Sequence, residues 1–173
     1  MKNLVQYIQE KLQINKDSKI KDTNRDEWID LGLPSGILWC SHNVDAKSEE
    51  DFGEYFDFFE AFKIPFKRDK KTFVPGQKEF NELLDNCDYE ITYINNIKGM
   101  KFISKSNNNY IFLPAAGSKQ KTGKQRDKNR GYYWSKTQST LKYSYILFFS
   151  SKYPNVKTDC NEELKLSVRL CKK

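Results

Sequence analysis

The sequence predicts an α+β fold built on an antiparallel β-sheet. Three observations lead there. The chain of 173 residues is polar, with a mean hydropathy of −0.81 and 31% charged residues, yet 14% of it is aromatic. That ring content is foreign to disordered chains and supplies a core under a charged surface. Short apolar runs recur between Gly, Pro and Asn clusters, as strands between turns do. One stretch has strong helical spacing and lies in the first half, so strands and helices do not alternate as βαβ units would require.

In chain order, Met1, Leu4, Val5, Ile8 and Leu12 recur at steps of three and four. They form the apolar stripe of an amphipathic helix over residues 1–14. Such a short helix is marginal alone and must dock on its own domain or on a partner. Residues 15–27 are nearly all polar and read as a linker. The main domain then spans residues 28–173. WIDLGLPSG is an extended piece followed by a Gly/Pro turn, and ILWCSHNV reads as a strand. Residues 45–51 form an acidic loop. EYFDFFEAF (54–62) suits either strand or helix, and KIPFKRDKKTF is a basic loop. QKEFNELLDNC spaces Phe80, Leu83 and Leu84 as a helix. YEITYI alternates as a strand. GMKFIS and YIFLPA flank an Asn cluster as a hairpin. Residues 118–130 hold no apolar side chain and read as a long exposed loop. GYYWSK, YSYILFFS and LKLSVRLC complete the strands. In GYYWS, Gly131 allows a tight turn into the strand, and alternation sends two rings inward and their neighbours out.

Composition narrows function. Residues 1–97 carry 13 basic and 19 acidic side chains, and residues 98–173 carry 17 and 4, which sums to the net +7. A basic half can signal a polyanionic partner. Yet 25 of the 30 basic residues are Lys, a composition bias that explains the charge as well. Residues 118–130 also contain no ring to interleave with their cations, which argues against nucleic acid. No run is long and apolar enough for a membrane span, and residues 1–14 lack the apolar region of a signal peptide. Cytoplasm or a phage virion are the compartments this suggests. Cys40, Cys87, Cys160 and Cys171 form no CxxC pair, and His42 is the only histidine. No metal or cofactor is expected, and the thiols read as buried and unpaired. GxSxG, Walker, HExxH and GxGxxG motifs are absent, so an enzyme is not expected.

Seven segments taken in order resemble one family. They are WIDLGLPSGILWCSHNV (28–44), FGEYFDFFEA (52–61), EFNELLDNC (79–87), GMKF (99–102), IFLPAAG (111–117), GYYWSK (131–136) and SVRL (167–170). Together they resemble the Fibrobacter succinogenes major paralogous domain family, common in Bacteroidetes and their phages. The resemblance covers residues 28 to 171. It implies a C-type lectin-like fold with one or two helices, long loops and a loop-borne binding surface. It is also similar to the variable ligand-binding domains of diversity-generating retroelements.

The departures from related proteins of that fold restrict mechanism. The paired, redox-active cysteines of the formylglycine-generating enzyme are missing. Trp134 is followed by Ser135 and Lys136 rather than by the oxygen ligands of calcium-dependent lectins, and a lysine would repel Ca²⁺. The family's Pro-Thr helix start is Pro75-Gly76 here, so a Thr N-cap is lost. The resemblance thus implies a non-enzymatic recognition module that binds a protein or glycan through loops of the basic half. Lys124, Arg126, Asn129, Arg130, Lys136, Thr137 and Gln138 are its candidate ligand-binding residues. An alternative follows from the first helix. MKNLVQYIQE resembles the leaders that take proteins into phage heads, with Ile8-Gln9-Glu10 fitting the cleavage triplet. The chain would then be a structural or packaged virion protein whose Leu4, Val5, Ile8 and Leu12 dock on an assembly partner.

Overall fold

Helical spacing at Phe80 and Leu83 buries both side chains completely, and it does so on one face of a ten-residue helix. The computed structural model in which this is seen describes residues 27–65, 70–151, 153–160 and 164–173. The candidate helix over 1–14 and the linker up to residue 26 lie outside the described residues. Strands are β1 (Trp28–Asp30), β2 (Leu38–Cys40), β3 (Thr72–Phe73), β4 (Cys87–Ile94), β5 (Ile97–Ser104), β6 (Tyr110–Pro114) and β7 (Ser118–Gln120). They continue with β8 (Gln125–Arg126), β9 (Gly131–Gln138), β10 (Tyr143–Phe149), β11 (Asn155–Cys160), β12 (Leu164–Lys165) and β13 (Cys171–Lys172). Two helices, α1 (Phe58–Lys63) and α2 (Gln77–Asn86), lie among them. The strands make four antiparallel sheets, in the orders β1-β2-β13-β3, β11-β10-β9, β12-β7-β8 and β4-β5-β6. The coarse α+β, antiparallel expectation therefore holds.

Two apolar cores share β9. Trp39, Phe80, Phe102, Leu113, Tyr133 and Phe149 belong to the first, and Phe58, Val74, Tyr132, Trp134, Ile146 and Leu166 to the second. Tyr132, Tyr133, Trp134 and Ser135 are consequently all buried, so the inward-outward alternation expected of GYYWS does not hold. Both faces of this strand are covered, as in any strand between two packed layers. Gly131 is also explained differently. A Cβ there would run into the ring of Phe149, its partner in register across the sheet, so close packing requires the glycine rather than a turn.

Local signals decide several segments. The ring-rich stretch 54–62 becomes helical because Asp57 and Glu60 form a capping box: Glu60 N donates to Asp57 Oδ1 at 2.8 Å, and Asp57 N donates to Glu60 Oε2 at 3.0 Å. The start of α2 is not bare either. Gly76 N donates to Glu79 Oε2 at 2.6 Å, and Gln77 N donates to Thr137 Oγ1 at 3.0 Å. A threonine from the far end of β9 thus replaces the cap that the helix's own N-terminus lacks. Other expectations need correcting. Residues 118–130 hold the β7–β8 hairpin, with Ser118 buried, instead of a long loop. The strand expected over ILWCSHNV ends at Cys40, where Arg169 begins to claim the backbone. LKLSVRLC contributes only β12, two single bridges at Leu166 and Ser167, and β13. β11 was not anticipated, because NVKTDC has too few apolar residues to show a period; it pairs along one side of β10.

Candidate functional site

An open cleft of about 900 Å³ lies among the described residues. β1 forms one wall, with Trp28 and Asp30 beside Glu27. Ser41 and His42, just beyond β2, and the loop at residues 47–50 form a second. The third is Asn95 in the β4–β5 turn and the start of β6 with Asn108, Asn109 and Tyr110. Glu27, Asp30, Glu49 and Glu50 oppose only Lys47 and the imidazole of His42. The cleft is therefore acidic in a chain of net +7.

Each wall is positioned by its own chemistry. The two-residue β4–β5 turn has both Asn95 and Asn96 at positive φ, 47° and 65°, a conformation that asparagine tolerates better than most residues. From that turn, Asn95 Nδ2 donates to Glu50 Oε1 at 2.8 Å. Asn107 Nδ2 and Asn109 Nδ2 donate to Asp30 O at 3.0 and 2.7 Å, tying the β5–β6 turn to β1. Tyr110 Oη donates to Glu49 Oε1 at 3.5 Å, and Lys101 Nζ sits 4.0 Å over the Tyr110 ring. His42 Nδ1 lies 2.9 Å from Asn43 O. A carbonyl only accepts, so Nδ1 carries the proton and Nε2 is the acceptor of the neutral ring.

Burial and the neighbouring Glu50 charge push the Glu49 carboxyl above its ordinary range. The Glu49 charge and burial in turn push the Tyr110 phenol up. Hydrogen bonds from Asn95 and Ser48 hold Glu50 below its ordinary value. Two adjacent carboxyls are thus driven apart, one easier and one harder to ionise.

Beneath the cleft lies a buried cation. Arg169 is fully buried. It donates from Nε to Asn43 Oδ1 at 3.0 Å, from Nη1 to Cys40 O at 2.9 Å and from Nη2 to Phe112 O at 2.8 Å. Asn43 Nδ2 donates onward to Phe52 O at 3.1 Å and Tyr133 Oη at 3.3 Å, and Tyr133 Oη donates to Pro114 O at 2.8 Å. One guanidinium fork therefore joins the end of β2 to the middle of β6, the elements that carry two walls of the cleft. In the sequence, the SVRL segment gives no role to Arg169. Its signal was a lone cation between apolar Val168 and Leu170.

The seven residues expected to bind a ligand do not form one cluster. Lys124, Arg126, Asn129 and Arg130 are exposed on and after the β7–β8 hairpin. Arg130 pairs with Asp127 at 3.5 Å, and Asn129 has φ 70°. Lys136, Thr137 and Gln138 lie at the other end of β9, roughly 17–23 Å along the strand from Gly131 at about 3.3 Å per residue. Thr137 caps α2. Lys136 Nζ rests 4.4 Å over the Phe73 ring and 4.0 Å from Glu79 Oε2. None of the seven lines the cleft. Gln125 Nε2 donates to Ala116 O at 2.7 Å and Lys119 Nζ sits 4.2 Å over Tyr55, so the hairpin base is pinned to the domain.

Among the described residues, no group of three or more His, Cys, Asp or Glu side chains is placed to hold a metal ion. No helix among them is long and apolar enough to cross a membrane. Cys87 and Cys171 are buried free thiols. The buried Cys40 sulfur accepts from the backbone N–H groups of Ser41 and His42.

No curated protein and no solved structure matches the chain. A family described as Domain of unknown function (DUF8237) matches residues 84–171, just over half of the sequence. The match runs from the last turn of α2 to the first residue of β13 and includes Asn95, Tyr110 and Arg169. The chain therefore belongs to the DUF8237 family.

Proposed function

We propose that the chain is a non-enzymatic recognition module of C-type lectin-like fold that binds a glycan or protein ligand in the acidic cleft. The observation that carries this reading is the cleft itself. It is a concavity of about 900 Å³ whose walls are fixed from below by one buried arginine. Recognition residues on short turns over a rigid sheet are a common arrangement for binding. Carboxylates accept, the amides of Asn95, Asn108 and Asn109 both donate and accept, and Trp28 and Tyr110 offer ring faces. Such a set suits hydroxyl-rich or basic groups. Four carboxylates outnumber the nearby cations Lys47, Lys101 and Arg169, which disfavours an anion. The similarity of the seven segments to the major paralogous domain family supports the fold, and the antiparallel sheets agree with it.

The test is a screen of the full chain on a glycan array and on arrays of acidic, neutral and basic peptides. Hits are then titrated against two variants. Tyr110→Ala with Glu49→Gln should lose at least tenfold in affinity. Lys124→Ala, Arg126→Ala and Arg130→Ala together should leave affinity within twofold. The reverse pattern, with salt-sensitive binding lost in the basic triple variant, would move the site to the hairpin.

A further inference from the structure

We infer that the outer edge of β4 pairs with β4 of a second copy of this chain, antiparallel and centred on Ile91. β4 pairs with β5 over all eight of its residues without a bulge, and no described strand lies on its other side. Natural edges of this length are usually blunted by proline, lysine, a bulge or a covering element. CDYEITYI has none of the first three.

The hairpin turn shows which groups the edge offers. A two-residue loop with both residues at positive φ closes on a hydrogen-bonded pair, here Ile94 and Ile97. Bonded and non-bonded pairs alternate from there. Asp88, Glu90, Thr92 and Ile94 therefore spend their backbone groups on β5. Cys87 N donates to Leu83 O at the end of α2, whereas Tyr89, Ile91 and Tyr93 turn their groups outward. The same residues carry apolar side chains on the core-facing side of the sheet. Tyr89 packs 6.2 Å from Phe102, and Ile91 is half-buried against the first core. At the rim, Tyr89 is 36% exposed and Tyr93 65%, so the rings overhang the end of the core.

The register centred on Ile91 uses the most outward backbone groups without setting like charges opposite one another. Pairing Ile91 with its own copy sets Tyr89 opposite Tyr93 on both sides of the axis, and about six hydrogen bonds use every outward group from Tyr89 to Tyr93. It places Glu90 opposite Thr92 and Asp88 opposite Ile94. A shift of the axis to Glu90 would set two glutamates face to face, which is unfavourable. Glu90 already has Lys101 across β5. The pairing continues the β4-β5-β6 sheet into six strands and covers the overhanging rings. One strand pair buries less than the roughly 1,200 Å² of a standard interface, so the dimer is weak and forms at micromolar concentration or above.

Sedimentation velocity of the full chain from low micromolar to near-millimolar concentration reads the association. Hydrogen exchange at the Tyr89, Ile91 and Tyr93 amides reads the edge. We expect a monomer–dimer equilibrium, with those three amides slowing at least tenfold as concentration rises. Tyr89→Lys with Tyr93→Lys sets lysine against lysine and should abolish the dimer, while circular dichroism stays unchanged. Tyr89→Glu with Tyr93→Lys sets glutamate against lysine in this register and should restore it. A monomer at all concentrations would overturn the inference. So would a dimer that survives the double-lysine variant, or edge amides protected at every concentration, which would show that another segment of the same chain covers β4.

Discussion

Arg169→Met is the perturbation that best separates a structural fork from a mere charge. The guanidinium is fully buried and bonds three acceptors, Cys40 O, Phe112 O and Asn43 Oδ1, with no carboxylate among them. Burial holds its pKa below the ordinary value of arginine, so the charge itself sits at a cost. Methionine fills most of the volume but leaves three buried acceptors without a donor, at about 1–3 kcal/mol each. Relief of the cation's desolvation returns several kcal/mol of that. The net loss should be about 3 kcal/mol, a large part of a typical stability of about 5–15 kcal/mol. For a chain of this size that lowers the thermal midpoint by about 6–12 °C. Arg169→Lys keeps the charge and its desolvation, yet an ammonium cannot span acceptors on three different segments. It should be at least as destabilising as methionine. Urea unfolding followed by the fluorescence of the buried Trp39 and Trp134 measures both variants. A loss under about 1 kcal/mol in Arg169→Met, or a lysine variant clearly more stable than the methionine one, would refute the fork as the tie between β2 and β6.

Other expectations follow from single contacts. Thr137→Val removes the acceptor for Gln77 N and should cost about 1 kcal/mol in urea, with hydrogen exchange quickening in the first turn of α2; an unchanged first turn would leave Glu79 as the sufficient cap. Gly131→Ala drives a methyl into the fully buried Phe149 ring and should cost about 1–3 kcal/mol, where a neutral result would show that the two cores can yield around β9. The Glu49 carboxyl is raised in the folded state, so its ionisation favours the unfolded chain; Glu49→Gln should melt above the wild type at neutral pH, and the gap should close as pH falls through the carboxylate range. A pH-independent gap would sink that assignment. Burial pushes Cys87 up to about 11, so at pH 8 only about one molecule in a thousand holds its thiolate, and alkylation of the native chain located by mass spectrometry should spare it.

The elements legible in the sequence are those whose side chains carry their own period. α2 reads from Phe80, Leu83 and Leu84, and the β5–β6 hairpin from two apolar runs around an asparagine cluster. Elements set by contacts distant in sequence did not read. β11 alternates too weakly, and β7–β8 has no apolar side chain at all; its hydrogen bonds come from β12 and from the turn at Gly123. The cap of α2 comes from Thr137, sixty residues away. Asp57 and Glu60 were readable as a capping box in EYFDFFEAF, and that signal should have decided helix over strand.

The cleft was illegible for a different reason. Its walls come from residues near 28, 42, 49, 95 and 110, and none of those segments is unusual alone. Charge was informative about only half of the problem. The basic excess from residue 98 onward includes exposed cations that the fold spreads over two ends of β9. The acids before residue 97 mattered more, because β1, the loop at residues 47–50 and the turn at Asn95 bring four of them to one concavity. Glu49 and Arg169 then act on one another across the wall: the buried cation favours the ionised carboxylate, while burial and Glu50 oppose it. A cleft poised between those opposing influences changes its charge when a cation enters and favours ionised Glu49. Under the proposed reading, binding of a basic ligand and the protonation of this one residue are linked, and proton release should be largest midway between the pKa values of Glu49 in the unliganded and liganded chain. Calorimetric titration in buffers of different ionisation enthalpy detects that proton. For a basic ligand, its absence throughout the carboxylate range would remove Glu49 from the site.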